Sequence, residues 1–410
     1  MPHIRARHLA AYIQKLMGFS PIVGLLGHRQ SGKTTLMSEL VKNYVTMDQR
    51  SALLAAEADP DGFVARYSGL RNGFDECQLA PSLFPALKER VRVDKRPGQF
   101  ILTGSVRFTS KKAIRESLTG RIINVTLHPM VLTELMQKRE SKTISHLLQK
   151  GPSGIDKLFA DNKIGTSVIR DAKKILNHYG ETGGLPGVCF VRDSGLRSQK
   201  LSSQLETILD RDLRQIFPTT LSLAALTRVL TALAMKNGQP IEWSEISRSC
   251  RISVPTLRKL LSAFESLFLF TLLEAEGSEK KPALLFEDPG ELNFLTEGRL
   301  SHLDTWTSTV LTHVRTILDV PLAGGAKYPT RFSQYRTRGG AFVPLVARAG
   351  ACALGVIPMV EENPDLHVLG SARSFLRVNP GASVVCIHPY DRTELVSQNI
   401  LNIPGYRAFL

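Results

Sequence analysis

Residues 27–34 read Gly27-His28-Arg29-Gln30-Ser31-Gly32-Lys33-Thr34, an ungapped fit to G-x-x-x-x-G-K-[ST]. Residues of these types at this spacing handle phosphate. The glycines let successive backbone N–H groups turn inward onto an anion. Lys33 is placed to bridge the β- and γ-phosphates of a nucleotide, and the Thr34 hydroxyl to hold Mg2+, with Thr35 beside it in the first helical turn. Hydrolysis asks for more: an acidic residue for the metal and a group that polarises water. The stretch "FDECQLAP" offers such a pair, Asp75 for Mg2+ and Glu76 for the water.

These residues need elements to place them. "PIVGLL" is a compact apolar strand running into the loop, and "TTLMSELVKNYV" repeats apolar residues at helical intervals after it. Strand, glycine loop and helix is the order a phosphate loop requires, and the helix adds its positive amino end to the same anion. Leu9, Ile13 and Leu16 predict a short amphipathic helix over residues 5–17. Further strands are predicted at 98–104 and 121–127. The run before Asp75, "RYSGLRNGF", is poor in β-branched apolar residues and shows no clear strand. Strands alternating with helices predict an α/β sheet of mostly parallel strands.

From about residue 200 to 275 the pattern is helical. "EWSEISRSC" and "VPTLRKLLSAFESLFLF" flank a short turn, with Ser253 as N-cap and Pro255 in the first turn. This is helix-turn-helix spacing, with "LFLFTLLEAE" able to supply a wing, and it makes Thr256, Arg258 and Lys259 the candidate nucleic-acid contacts. Beyond residue 280, "RFSQYRTRGGAFVPLVARAGACALGVIPM" and "GASVVCIHP" predict consecutive strands. The expected organisation is an ATPase core at 1–140, a helical linker or lid at 141–215, a winged helix at 216–280 and an α+β unit at 281–410.

The chain has 410 residues and a formal net charge of +15, so it holds more than one core and will feel polyanions. Ten Lys and Arg residues between positions 86 and 135 face four acids there. Five scattered cysteines without a C-x-x-C pair argue against structural zinc and for a reducing compartment. No apolar run approaches the roughly 20 residues that span a bilayer. The expectation is a cytoplasmic protein without a membrane partner. No G-x-S-x-G, H-E-x-x-H or metal-spaced His/Cys cluster points to other chemistry.

In order, "LLGHRQSGKTTL", "DECQLAP", "FILTGS", "ESLTGR" and "LHPMVLTEL" resemble a family of prokaryotic AAA+-type P-loop ATPases. That resemblance covers about residues 4–290, and the glycines of "GGLP" (Gly183, Gly184) and the "LDRDL" of Asp210, Arg211 and Asp212 fit its middle section. It implies a P-loop core, a winged helix and a C-terminal PD-(D/E)xK nuclease-like domain. It implies ATP and Mg2+ as cofactors, slow ATP hydrolysis, and Thr103 or Ser105 as sensor of the γ-phosphate. It also implies Arg121 as an arginine finger acting on a neighbouring subunit, hence a homo-oligomer, with Arg107 the competing residue. Where the family's nuclease carboxylates belong, this chain reads Phe342-Val343-Pro344 and Val356-Ile357-Pro358, so nuclease activity is not expected. Two other readings stay open: a nucleotide-gated scaffold or switch with little turnover, and a DNA-binding defence or mobile-element factor with an inactive nuclease fold. The expected partner is DNA, RNA or a protein.

Overall fold

The computed structural model describes residues 4–69, 71–108, 120–161, 163–320 and 327–410. Ser117 and Leu118 of the "SLxGR" segment, and Lys111, Lys112 and Arg115 of the basic stretch, lie outside them. The first sheet holds β1 (Ile22–Leu26), β2 (Asn43–Thr46), β3 (Asn72–Asp75), β4 (Phe100–Gly104) and β5 (Ile122–Thr126). All pair in parallel in the order β2-β3-β4-β1-β5. Leu26 lies in register with Gly104 and Thr126, and Thr46 with Asp75. The phosphate loop, the acidic pair and the end of β4 therefore emerge at one carboxyl edge, where open parallel sheets place their ligands. Helix α1 (Leu9–Met17) buries Leu9, Ile13 and Leu16 as their spacing predicts, and α2 (Lys33–Leu40) follows the loop.

A strand does precede Asp75, against the sequence expectation. β3 is only four residues long, yet every one is buried. Position in the sheet, between β2 and β4, supplies what composition lacks. Asn72 donates its side-chain amide to the carbonyls of Tyr67, Gly69 and Gln99. Gly73 lets α2 approach, since a Cβ there would lie 2.9 Å from Met37 Sδ. Phe74 alone carries the apolar burial, packed edge to face on Tyr67 and tilted against Phe63 and Phe100.

The middle of the chain is helical: α3 (Ser194–Thr207), a π-helical turn at Ile208–Asp212, α4 (Leu223–Ala234), α5 (Trp243–Cys250) and α6 (Val254–Ser266). The Ser253 hydroxyl accepts from the Thr256 N–H at 3.2 Å, and Arg251 makes the turn between α5 and α6 with φ 56°. Strands β6 (Phe270–Glu276) and β7 (Ala283–Phe286) form an antiparallel hairpin, followed by α7 (Pro289–Leu295). This hairpin straddles the boundary expected at residue 281. Leu284, Phe286 and Leu292 share one core with Leu226, Leu257 and Phe264, so the helical unit continues through α7.

The rest comprises α8 (His302–Asp319), β8 (Arg331–Arg336), β9 (Phe342–Ala349), β10 (Cys352–Pro358), α9 (Leu366–Val378), β11 (Ser383–His388), β12 (Glu394–Ser397), β13 (Ile400–Pro404) and a last short helix, α10 (Gly405–Phe409). Its strands join the hairpin in one eight-stranded sheet, β12-β13-β11-β10-β9-β8-β6-β7, through the parallel pairing of Glu274–Glu276 with Ser333–Tyr335. Trp306 is buried in that unit's core and its indole N–H donates to the Ile387 carbonyl at 3.0 Å. Among the described residues no helix is long and apolar enough to cross a membrane.

The packing of β3 can be tested directly. Phe74→Ala should destabilise the chain by about 3–5 kcal/mol, the usual cost of emptying a fully buried aromatic site. A urea midpoint shifted by only a small fraction of that would contradict the packing described for β3.

Candidate functional site

The loop's backbone explains its glycines. Gly27 has φ 152° and its Cβ would lie 2.4 Å from the Leu127 carbonyl oxygen; Gly32 has φ 94°. Lys33 begins α2 with its side chain folded along the loop, the ammonium donating to the carbonyls of Gly27 at 3.0 Å and His28 at 2.8 Å. Burial pulls the Lys33 ammonium below its ordinary value, with the Glu76 and Asp75 carboxylates opposing it. Ser31 is buried, and its carbonyl accepts from Arg7 Nη1 at 2.6 Å.

Asp75 gathers the neighbouring hydroxyls. Its carboxylate accepts from Thr34 Oγ1 at 2.7 Å, from the Tyr44 phenol at 2.9 Å and from Thr103 Oγ1. Burial, and then Asp75 itself, pushes the Tyr44 phenol up to about 12, so it remains a donor. The Glu76 N–H closes the set, 3.1 Å from Asp75 Oδ1 and 3.3 Å from Thr103 Oγ1. Glu76 occupies the left-handed region at φ 53°, uncommon for a residue with a side chain and a mark of a constrained functional turn. Its carboxylate accepts from the Gln78 amide and from Ser105 Oγ at 3.2 Å. Gly104 is required beside them, since its Cβ would sit 2.8 Å from Gln78 Oε1.

Beside this cluster lies a cavity of about 580 Å³ reached by Arg29, Gln30, Gly32, Lys33, Thr34, Thr35 and Glu76. Met130, Pro186 and Phe190 add apolar surface to its lining. The arrangement can hold a phosphate chain at the loop. The adjacent Thr34 hydroxyl and Asp75 carboxylate are a hard oxygen pair suited to Mg2+. Thr103 and Ser105 come to the same edge but turn onto Asp75 and Glu76, so their first partners are the acids. Arg121 does not come to this edge. It precedes β5, at the opposite end of the strand, roughly 17 Å away at about 3.3 Å per residue. Arg107 is also placed elsewhere: its N–H and Nε donate to the Ser266 and Glu265 carbonyls at 2.8 and 3.1 Å, and its guanidinium lies over Phe268.

Three loop side chains outside the consensus reach residues far along the chain, two of them in the helical unit, and nothing in the sequence spacing announces it. His28 Nε2 lies 3.1 Å from Glu291 Oε2, with both side chains buried. Arg29 meets Asp212 at 3.1 Å. Gln30 packs on Gly187 so closely that a Cβ there would lie 2.2 Å from its Oε1. Asp288 accepts from the Gly184 N–H at 2.7 Å, which brings the "GGLP" turn to the same place. Burial pushes the Asp288 carboxyl up to about 6.

Thr256 is half-buried while Arg258 and Lys259 are exposed on α6, with the Arg258 guanidinium 4.8 Å over Trp243. The basic stretch at 86–135 is partly self-neutralised. Arg92 pairs with Glu89, and Arg90 and Arg96 with Asp94. In the C-terminal sheet, Val343 and Ile357 pack with Tyr335 and Phe375 in an apolar cluster under α9.

Loop, acidic pair and parallel sheet together have the form of a P-loop nucleotide-binding domain. Residues 19–136 match the family described as AAA domain, and residues 173–298 match a domain of unknown function, DUF8612. Two curated relatives, the uncharacterized proteins Rv2008c of Mycobacterium tuberculosis and Mb2031c of Mycobacterium bovis, are each 27% identical over 301 residues. That is 71% of this chain and 60% of theirs, so the chain spans less than two thirds of their length. Among solved structures, the STAND protein with a tetratricopeptide repeat sensor PH0952 from Pyrococcus horikoshii covers 79% of this chain and 49% of its own. It does so at 12% identity and TM-score 0.27. Protein VC1899 from Vibrio cholerae covers 93% and 94% at 11% identity and TM-score 0.19.

The buried pair between loop and α7 predicts a pH dependence. Burial alone would lower the His28 imidazole, but Glu291, by charge and hydrogen bonding, the Arg29 carbonyl and Asp288 outweigh it, and the net shift is upward. A raised folded value means the stabilisation is fully present below the ordinary value of 6.5 and is lost as pH rises through the raised one. The margin by which wild type melts above His28→Asn should therefore shrink as the pH is taken upward from near 6.5. A margin that widens with pH would show that His28 is not held protonated by these acids.

Proposed function

We propose that the chain binds ATP with Mg2+ at the phosphate loop and hydrolyses it slowly. Its nucleotide state would be coupled to assembly and to a nucleic-acid or protein partner. The observation that carries this reading is the cluster in which Thr34, Asp75, Thr103 and Glu76 meet within hydrogen-bond reach beside Lys33. Loop N–H groups and Lys33 would bind the phosphates, and Thr34 with Asp75 would hold the ion. Bound Mg2+ supplies neutralisation of charge on the phosphate oxygens. Glu76 would polarise the attacking water, with Gln78 and Ser105 orienting its carboxylate. Arg121 could serve only across a subunit contact, given its place at the far end of β5.

The rival reading is a nucleotide-gated switch with little turnover. It is favoured by one observation: Lys33 and Glu76 both have intramolecular partners that a productive complex would have to replace. Measuring ATP affinity beside phosphate release separates the two. Under hydrolysis, Lys33→Ala loses both, and Glu76→Gln keeps affinity within a few-fold while turnover falls on the order of 10²-fold or more. Phosphate release by Lys33→Ala equal to wild type would falsify the proposal. Tight binding without turnover in wild type would support the switch.

The exposed Arg258 and Lys259 on a capped helix beside a β-hairpin support reading residues 216–280, with the hairpin completed by β7, as a winged helix that contacts nucleic acid. The succession α8, β8, β9, β10, α9, β11 supports the nuclease-like reading of the last unit, with apolar residues at its metal-binding positions. Duplex DNA should be bound in a salt-dependent way. Arg258→Ala combined with Lys259→Ala should reduce the salt slope by about 1 for each phosphate that is no longer neutralised. No shift at low salt would remove DNA as the partner and leave a protein.

A further inference from the structure

Arg29 and Arg211 share one carboxylate. Arg29 Nη1 lies 3.1 Å from Asp212 Oδ2, and Arg211 Nε donates to Asp212 Oδ1 at 2.8 Å. The Asp212 side chain is only 6% exposed, while the two arginine side chains are 25% and 43% exposed. The acid is thus fixed and the cations face outward. Arg29 belongs to the phosphate loop and lines the same cavity as Lys33, Thr34 and Glu76. Arg211 reaches in from the π-helical turn, its Nη1 4.0 Å from Asp48, two residues past Thr46, which is in register with Asp75. It stands at the carboxyl edge, on the side of the acidic pair.

The turn itself is informative. Neighbours on a regular helix point about 100° apart and do not serve one another's functional groups. Here Arg211 and Asp212 are adjacent in sequence and bonded side chain to side chain within a π-helical turn, a form rare in general and common at functional sites. One arginine would neutralise Asp212. The second is met only by the half-exposed Asp48 at 4.0 Å, and each guanidinium keeps N–H groups not committed to Asp212, in the planar fork that suits phosphate oxygens.

We propose that Arg29 and Arg211 act on the terminal phosphate of the chain's own nucleotide, with Asp212 the positioning residue that holds both. The charge of the transition state would then be met in cis, by the loop and the helical unit together, without an arginine from a neighbour. This rests on the reading of the loop as an ATP-hydrolysing site. As the oxygen of water bonds to the terminal phosphorus, the bond from that phosphorus to the bridging oxygen breaks. Its electron pair stays on the ADP oxygen, and a water proton passes to the Glu76 carboxylate. The arginines stabilise the charge on the terminal phosphoryl oxygens.

The test uses the full chain and measures ATP affinity, ADP affinity and turnover for Arg29→Ala, Arg211→Ala, Arg211→Lys and Asp212→Asn, with thermal melts to establish folding. Each alanine variant should lower turnover on the order of a hundredfold, the usual effect of losing one donor to developing charge. Each should weaken ATP more than ADP, because only ATP carries the phosphate concerned. Asp212→Asn should lower kcat more than it raises KM, and Arg211→Lys, which keeps the charge on an exposed side chain, should recover part of the loss. An equimolar mixture of Arg211→Ala and Lys33→Ala should stay inactive. Turnover regained on mixing would place the arginine in trans and overturn the proposal. So would equal losses of ATP and ADP affinity, or unchanged turnover in the alanine variants. Wild-type chain that binds no ATP would sink the underlying reading instead, and this proposal with it.

Discussion

A single buried carboxylate organises the carboxyl edge of the first sheet. Asp75 is 3% exposed and accepts from hydroxyls on α2, β2 and β4 as well as from the next backbone N–H. A desolvated carboxylate is costly unless nearly all its lone pairs are occupied, and breaking such a set costs several kcal/mol. Each donor therefore comes with a positional demand on the element that carries it. Thr34 fixes where α2 begins, Tyr44 fixes an edge strand of only four residues, and Thr103 fixes the end of β4. The left-handed turn at Glu76 follows from the same constraint. It points the next N–H back at Asp75 and delivers the second carboxylate to Gln78 and Ser105.

The phosphate loop is bound by this edge on one side and by the helical unit on the other. Consensus positions serve the loop's own geometry, whereas His28, Arg29 and Gln30 contact α7, the π-helical turn and Gly187 in turn. Charge-assisted contacts of this kind are worth about 1–3 kcal/mol each when sheltered from water. A ligand that rearranged the loop would have to work against them or carry the helical unit along. That coupling needs no separate relay, because the loop's own side chains are the joint.

How far this was legible depends on whether the information is local. The loop is eight contiguous residues, so its glycines, lysine and threonine could be read and placed between a strand and a helix. The acidic pair could be read as a pair. β3 could not, because "NGFD" owes its burial to two flanking strands and to one phenylalanine rather than to any pattern of its own. The long strands of the last unit were visible as apolar runs, yet their union with the β6–β7 hairpin depends on three residues in register 59 positions away (Glu274 with Ser333). The tie from Arg29 to Asp212 spans 183 positions, and no spacing rule reaches across such a distance. Even the matching "LDRDL" suggested importance without saying what its acid touches.

The acidic pair is also tied to the far units of the chain, through the end of β4. Beyond that strand the Ser105 hydroxyl bonds Glu76, and two residues later Arg107 is fastened to the last carbonyls of α6. A cation at a helix carboxyl end is favoured by the unpaired carbonyls there, and the stacking on Phe268 holds it in place. From Phe268 the chain enters β6, which is hydrogen-bonded to β8 of the C-terminal sheet. A contiguous set of bonded groups thus runs from the acidic pair to the helix carrying Arg258 and Lys259 and on into the last unit. Contiguity alone does not transmit anything. What distinguishes this route is its starting point, a carboxylate whose partners Gln78 and Ser105 compete with whatever binds beside Lys33. Arg107, bonded to the end of α6 and stacked on Phe268, is therefore the link between the acidic pair and the rest of the chain.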